Sequence, residues 1–138
     1  MKYSYLLLIC LLGSGVFAAC KKDGKSSDLT RAEMLRSDGS KTWQLEKMYV
    51  SDTLYTLSEE ELAFNITYKS DNTFVDSDGM GGTYQFDEGA NKIIETITTG
   101  GTGKLIYNVE ALSAGNLVLR LIDDGSRNPN VQIHYRAK

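Results

Sequence analysis

Apolar and polar residues alternate with a period of two over most of the chain from residue 42 onward. This alternation is typical of strands that bury one face and leave the other in solvent. Short segments rich in Gly, Asn, Asp and Ser separate the alternating runs. The pattern predicts eight strands, at residues 42–50, 63–69, 73–77, 83–87, 92–98, 104–112, 117–123 and 131–136.

The first of these strands has a less regular pattern than the others. Strict alternation places Trp43, Leu45 and Tyr49 on its apolar face and Met48 on its polar face. Lys47 interrupts the apolar face, so we expect a bend in the strand at this residue.

Nearly all the predicted strands are joined by connections of hairpin length. Such spacing favours an antiparallel sandwich or barrel over a parallel sheet. A meander of about eight strands removes its exposed edges best by closing on itself. The sequence therefore predicts an all-β fold, an antiparallel up-and-down eight-stranded barrel whose first and last strands pair and bring Trp43 beside Arg136.

Two short segments have the signature of a helix start. A helix is predicted over residues 28–36, where Thr30 and Glu33 form a capping box. Ser58 and Glu61 have the same spacing and predict one helical turn within the connection between the first two strands.

The first 19 residues have the composition of a secretory signal. Lys2 is the single charged residue before Cys20, an apolar run covers 5–12, and small residues follow at Ala18 and Ala19. The run is shorter than the roughly 20 residues of a transmembrane helix. We therefore predict a signal peptide at 1–19, a polar tether at 20–27 and one domain at 28–138.

Three features resemble known bacterial sequences. Phe17-Ala18-Ala19-Cys20 resembles the lipobox of bacterial lipoproteins, which implies lipidation of Cys20 and attachment to the membrane. Asp52-Thr53-Leu54 is similar to the short O-glycosylation motif of exported Bacteroidetes proteins, which implies a glycan on Thr53. The chain from about residue 28 resembles the lipocalin-like domain of Bacteroidetes lipoproteins in the segments 41–45, 69–74, 82–86 and 107–112.

The lipocalin resemblance implies a structural role for one basic residue. In such barrels a basic residue of the last strand stacks on the first-strand tryptophan and holds the N-terminal helix across the barrel end. Here the resemblance assigns that role to Arg136 against Trp43, with Arg120 as second choice.

The charge and composition of the chain argue against several classes of function. The chain has a net charge of −3, and loss of Lys2 with the leader makes it more acidic, which argues against nucleic-acid binding. His134 is the single histidine, and both cysteines lie at or before residue 20. The Asp76-Ser77-Asp78-Gly79 segment lacks the remaining ligands of a calcium loop. We therefore expect no enzymatic activity, no catalytic residue, no metal and no cofactor.

Aromatic residues are the one feature that indicates a binding pocket. Small barrels either fill with side chains or hold one small ligand, and the sequence leaves both open. The residues predicted to line the interior are Trp43, Phe64, Tyr68, Phe74, Tyr84, Phe86, Tyr107 and Tyr135.

Two functions therefore stay open. The first is a non-enzymatic envelope lipoprotein of the outer membrane, on its periplasmic face or at the cell surface, whose barrel binds a small hydrophobic or amphipathic ligand. The second is a filled barrel that serves as a structural or interaction module for another envelope protein.

Overall fold

A computed structural model describes residues 29–125 and 130–138. The predicted signal peptide, the lipidation site at Cys20 and the tether lie outside the described residues. Within those residues the elements are, in chain order, α1 (Arg31–Arg36), β1 (Ser40–Val50), β2 (Thr53–Tyr55), α2 (Glu59–Leu62), β3 (Asn65–Lys69), β4 (Thr73–Asp76), β5 (Gly81–Asp87), β6 (Lys92–Thr99), β7 (Gly103–Leu112), β8 (Asn116–Asp123) and β9 (Val131–Ala137).

The strands form one antiparallel sheet that closes into an eight-stranded barrel. From β3 to β9 each strand pairs with the next, and β1 completes the ring by pairing with both β3 and β9. The predicted all-β, up-and-down barrel is confirmed. β2 is an additional short strand, which pairs with the second half of β1 within the segment that we predicted as a connection.

Both helices begin with the predicted capping boxes. In α1 the Thr30 hydroxyl accepts the N–H of Glu33, and the Glu33 carboxylate accepts the N–H of Thr30 at 2.7 Å. α2 repeats the arrangement with Ser58 and Glu61. Reciprocal bonds of this kind satisfy two backbone donors that a helix start otherwise leaves unpaired.

A β-bulge at Glu46 overturns the predicted faces in the second half of β1. Leu45 pairs with Tyr135, but the next pair is Lys47 with His134, so Glu46 is an extra residue. One extra residue moves all later side chains to the opposite face. The prediction that Tyr49 lies on the same face as Trp43 is therefore wrong; its ring packs outside the barrel against His134, with the centroids 5.4 Å apart and the ring planes tilted by 53°.

The two ends of the barrel differ. We call the end crossed by α1 the closed end; the turns at 70–72, 88–91 and 113–115 lie there because β3, β5 and β7 run toward it. The opposite end, which we call the open end, carries β2, α2 and the turns at 77–80 and 100–102.

One hydrophobic core fills the space between these ends. Strand alternation supplies most of its members, and α1 contributes one. The buried apolar residues are Leu35, Trp43, Leu45, Ile66, Tyr68, Phe74, Tyr84, Ile93, Tyr107, Val109, Leu117, Leu119 and Tyr135.

Candidate functional site

The eight aromatic residues predicted to line the interior do lie there. Six are buried, and the other two are partly buried against the core: Phe64, near the open end, and Phe86, near the closed end. They divide into two groups by depth. Trp43, Tyr68, Tyr84 and Phe86 fill the closed half or the middle of the barrel, whereas Phe64, Phe74, Tyr107 and Tyr135 line a cavity at the open end.

The closed end is sealed by α1. Leu35 and Trp43 are both fully buried, and the Trp43 indole Nε1–H donates a hydrogen bond of 2.8 Å to the Leu35 carbonyl. The indole thus satisfies its own buried donor and one carbonyl at the end of the helix. This contact fixes α1 across the end of the barrel.

Lys41 occupies the position that the sequence assigned to Arg136. Its Nζ lies 4.4 Å from the centre of the Trp43 ring and donates hydrogen bonds to the carbonyls of Met34, at 2.8 Å, and Ala114, at 2.7 Å. One ammonium group therefore makes the cation–π contact and joins α1 to the β7–β8 turn. The prediction that Arg136 does this is wrong.

The Arg136 prediction is wrong because the pairing of β1 with β9 differs by one residue from the expected register. Trp43 pairs with Ala137, and Arg136 pairs with Gln44, so the Arg136 side chain leaves the barrel on the outer face and is exposed. Arg120, the second choice, is also on the outer face, where its Nε contacts the Glu110 carboxylate at 2.5 Å. Side chains two residues apart share a face, which is why Lys41 reaches Trp43.

Glu95 is a buried carboxyl group in the middle of the barrel. It is only 2 % exposed and accepts a hydrogen bond of 2.5 Å from the Tyr68 hydroxyl. Tyr107 lies close enough to this carboxyl group for each of the two groups to shift the pKa of the other. Tyr135 lies close enough for the Glu95 charge to act on it. Three tyrosines from β3, β7 and β9 thus surround one acid from β6.

Burial dominates the ionisation of this cluster. The pKa of Glu95 is raised to about 7, mainly by desolvation; the hydrogen bond from Tyr68 opposes this rise and the charge of Asp76 adds to it. Desolvation also raises the pKa of Tyr68 and of Tyr107, and the adjacent Glu95 charge adds to both shifts. The tyrosines therefore stay protonated donors, while Glu95 titrates near neutral pH.

A cavity of about 180 Å³, which we call the inner cavity, extends from Glu95 toward the open end. Its walls are mainly apolar and aromatic, and its polar groups are carboxyls and tyrosine hydroxyls. The lining residues are Phe64, Ile66, Phe74, Asp76, Asp78, Met80, Glu95, Ile97, Leu105, Tyr107 and Tyr135.

A second cavity, of about 270 Å³, adjoins the first between α2 and β1, and we call it the outer cavity. Phe64 and the exposed Asp78 line both cavities, which places the mouth of the site beside the 77–80 turn. The remaining lining residues are Leu45, Met48, Leu57, Glu60 and Glu61. Met48 reaches this cavity because the bulge at Glu46 turns it inward.

Glu95 is a site residue that was not predicted from the sequence. The signal was present, because Ile93, Glu95 and Ile97 occupy alternate positions of one strand and Ile93 is fully buried. A charged residue in phase with an apolar face marks either a bulge or a buried polar site. Here β6 stays in phase at this point, so the carboxyl group lies inside.

Thr53 and His134, two other residues that the sequence singled out, lie outside the barrel interior. Thr53 is exposed at the start of β2, after the turn residues Ser51 and Asp52, both of which have positive φ. Its glycosylation stays a prediction. His134 lies on the outer face, with its Nε2 3.0 Å from the Gln132 side-chain oxygen.

Comparisons with family models, curated proteins and solved structures found no match to this chain. Among residues 29–125 and 130–138, no helix combines the length and hydropathy needed to cross a membrane. The same residues contain no cluster of three or more His, Cys, Asp or Glu side chains that would hold a metal ion.

Proposed function

We propose that this chain is a membrane-anchored, non-enzymatic lipoprotein of the outer membrane whose barrel binds a small, partly apolar molecule in the inner cavity. The observation that carries the proposal is the form of this cavity, with aromatic walls and a few convergent polar groups at its floor. Small-molecule sites have this composition, in which apolar walls supply affinity and a few polar groups orient the ligand.

The orientation of the barrel agrees with an anchor at Cys20. The described chain starts at Leu29 and enters α1, which lies across the closed end. An anchor that precedes α1 would hold the closed end near the membrane, on the periplasmic face or at the cell surface. The open end and its cavities would then face away from the lipid.

One observation favours the alternative, a structural or protein-interaction module. β2 is an edge strand, and its Leu54 and Tyr55 side chains are 58 % and 44 % exposed. An exposed apolar edge strand is a surface on which a partner protein adds a strand or packs side chains. This function requires no small ligand in the barrel.

Native mass spectrometry on the full lipidated chain, purified gently in detergent, tests the proposal. We expect an adduct of constant mass that departs when the protein is denatured. Leu105→Trp, which adds a ring to the wall of the inner cavity, should abolish the adduct. Val75→Trp adds the same ring at an exposed position and should retain it. A chain that carries no adduct would contradict ligand binding and favour the interaction module.

A further inference from the structure

We propose that the ligand of this site is an amphipathic organic cation, a protonated amine that carries a short apolar or aromatic tail. This inference rests on the proposed function, because it names the chemical class of that ligand. It follows from the charges, the side-chain partners and the aromatic walls of the two cavities.

The first argument is the sign of the charge around the site. Asp76, Asp78 and Glu95 line the inner cavity, and Glu60 and Glu61 line the outer one. The described linings of both cavities contain no Lys, Arg or His. Clefts lined by one sign of charge concentrate ligands of the opposite sign.

The second argument is that hydrogen bonds already hold two of these carboxyl groups in place. Asp76 Oδ1 accepts the backbone N–H groups of Asp78 and Met80, each at 2.9 Å, and Glu95 accepts from Tyr68. A ligand cation therefore meets groups that need little rearrangement, which reduces the entropy lost on binding. An anionic ligand would meet carboxylates with no positive side chain in the lining to offset them.

The third argument is the aromatic wall. Phe64 and Phe74 contribute phenyl rings, and Tyr107 and Tyr135 contribute phenol rings, to the same inner cavity as the carboxyl groups. Ring faces attract ammonium groups and also contact apolar tails. The combination of carboxylates and aromatic faces thus fits both parts of an amphipathic amine.

Two basic residues with several described contacts, Lys41 and Arg120, are engaged elsewhere. Lys41 lies at the closed end, on Trp43 and two backbone carbonyls. Arg120 is on the outer face, bound to Glu110. Neither residue lines the cavities, so neither neutralises their carboxyl groups.

Isothermal titration calorimetry of the full chain in neutral detergent micelles, at neutral pH, tests the charge preference with three probes of similar size. The probes are phenethylamine, phenethyl alcohol and hydrocinnamate, which carry a cation, a neutral hydroxyl and an anion on similar skeletons. We expect phenethylamine to bind at least about tenfold more tightly than the alcohol, and hydrocinnamate to bind most weakly.

Variants of the same chain show whether the charge preference arises at the cavities. Partitioning of the probes into the micelles is the same for every variant, so differences between variants reflect binding to the protein. Asp78→Asn should weaken amine binding by about three- to tenfold and leave alcohol binding unchanged. Asp38→Asn removes an equal charge at an exposed position near the closed end and should change neither. Glu95→Gln should also weaken amine binding, provided that the variant retains its far-UV circular dichroism.

The outcomes separate this inference from the function on which it rests. If the alcohol binds as tightly as the amine, or if Asp78→Asn and Asp38→Asn behave alike, the cation preference is overturned while ligand binding stands. If none of the three probes binds, the result counts against both the cation preference and the binding barrel.

Discussion

At the scale of single residues, Glu95 sets the polar character of the barrel interior. Its carboxyl group is the one buried charged group in the described core, and it is enclosed by tyrosines from three other strands. A buried carboxyl group is stable in its protonated form or with hydrogen-bond donors around it, and the Tyr68 hydroxyl is such a donor. Glu95 therefore makes the stability of the barrel depend on pH.

The free energy of unfolding should decrease as the pH rises from 4.5 to about 7, because Glu95 titrates in this range. Its pKa rises from 4.5 in the unfolded chain to about 7 in the folded one. In this window the folded state holds the proton and the unfolded state has lost it, so the free energy of unfolding decreases as pH rises. The contribution is complete below pH 4.5 and is lost above about 7, a total of roughly 3 kcal/mol.

Chemical denaturation of the wild type and of Glu95→Gln across this window checks the prediction. Glutamine keeps the shape and a polar side chain but does not titrate, so the difference in unfolding free energy between the two proteins should change with pH. Carboxylates whose pKa is lowered, such as Glu110, act in the opposite direction at lower pH and are common to both proteins. Parallel curves would show that Glu95 does not titrate in this range.

At the scale of elements, α1 depends on the barrel for its stability. The helix has six residues, far fewer than the roughly 12–15 that make an isolated helix even marginal in water. It is held by the burial of Leu35, the Trp43 bond to the Leu35 carbonyl and the bonds from Lys41. The helix and the closed end therefore form one structural unit.

Lys41→Met should destabilise the protein by about 1–2 kcal/mol. Methionine preserves the apolar stem over the Trp43 ring but leaves the carbonyls of Met34 and Ala114 without their donor. We place the loss at the lower end of the range for charged hydrogen bonds because solvent reaches the Lys41 ammonium. Thermal unfolding measures the loss, and Lys104→Met, at an exposed position of β7, is the control. Equal melting temperatures for the two variants would contradict a clamping role.

The positions of the elements were largely predictable from the sequence, but the direction of the side chains after the bulge in β1 was not. The capping boxes and the strand alternation depend on residues within a few positions of one another, so local patterns reveal them. The bulge at Glu46 depends on how β1 meets β9, strands that are far apart in the chain. For that reason Tyr49 was assigned to the wrong face.

At the scale of the whole molecule, one half of the barrel is filled by buried side chains and the other half contains two cavities. The closed half contains the buried side chains of Trp43, Leu35 and Tyr84, whereas the open half contains the inner and outer cavities. The sequence left open a barrel filled with side chains and a barrel with space for a ligand. The closed half resembles the first alternative, and the open half resembles the second.

The two halves should nevertheless unfold together. One continuous hydrophobic core joins them, and closure of β1 on β9 makes every barrel strand depend on two neighbours. Small single domains of this kind unfold in one cooperative step. Trp43, the single tryptophan, reports on the closed half, and far-UV circular dichroism reports on all strands. We expect the same guanidinium midpoint from both probes; an earlier loss of Trp43 fluorescence would show that the closed end opens separately.

Features that depend on residues close together along the chain can be recognised from the sequence. It contains the period of two, the turns, both helix starts and the interior position of the aromatic residues, because side-chain direction in a strand follows directly from the order of residues. It also carries the resemblances at Cys20 and Thr53. Each of these features needs only a few consecutive residues to be recognised.

Contacts between residues that are far apart in the chain depend on the tertiary structure. It paired Trp43 with Ala137 instead of Arg136, and so gave Lys41 the contact with the indole. It brought Tyr68 and Tyr107 to Glu95 and left a cavity beside them. A shift of one residue in a strand pair exchanges the inner and outer faces, and the register of distant strands is set by the packing of the whole barrel.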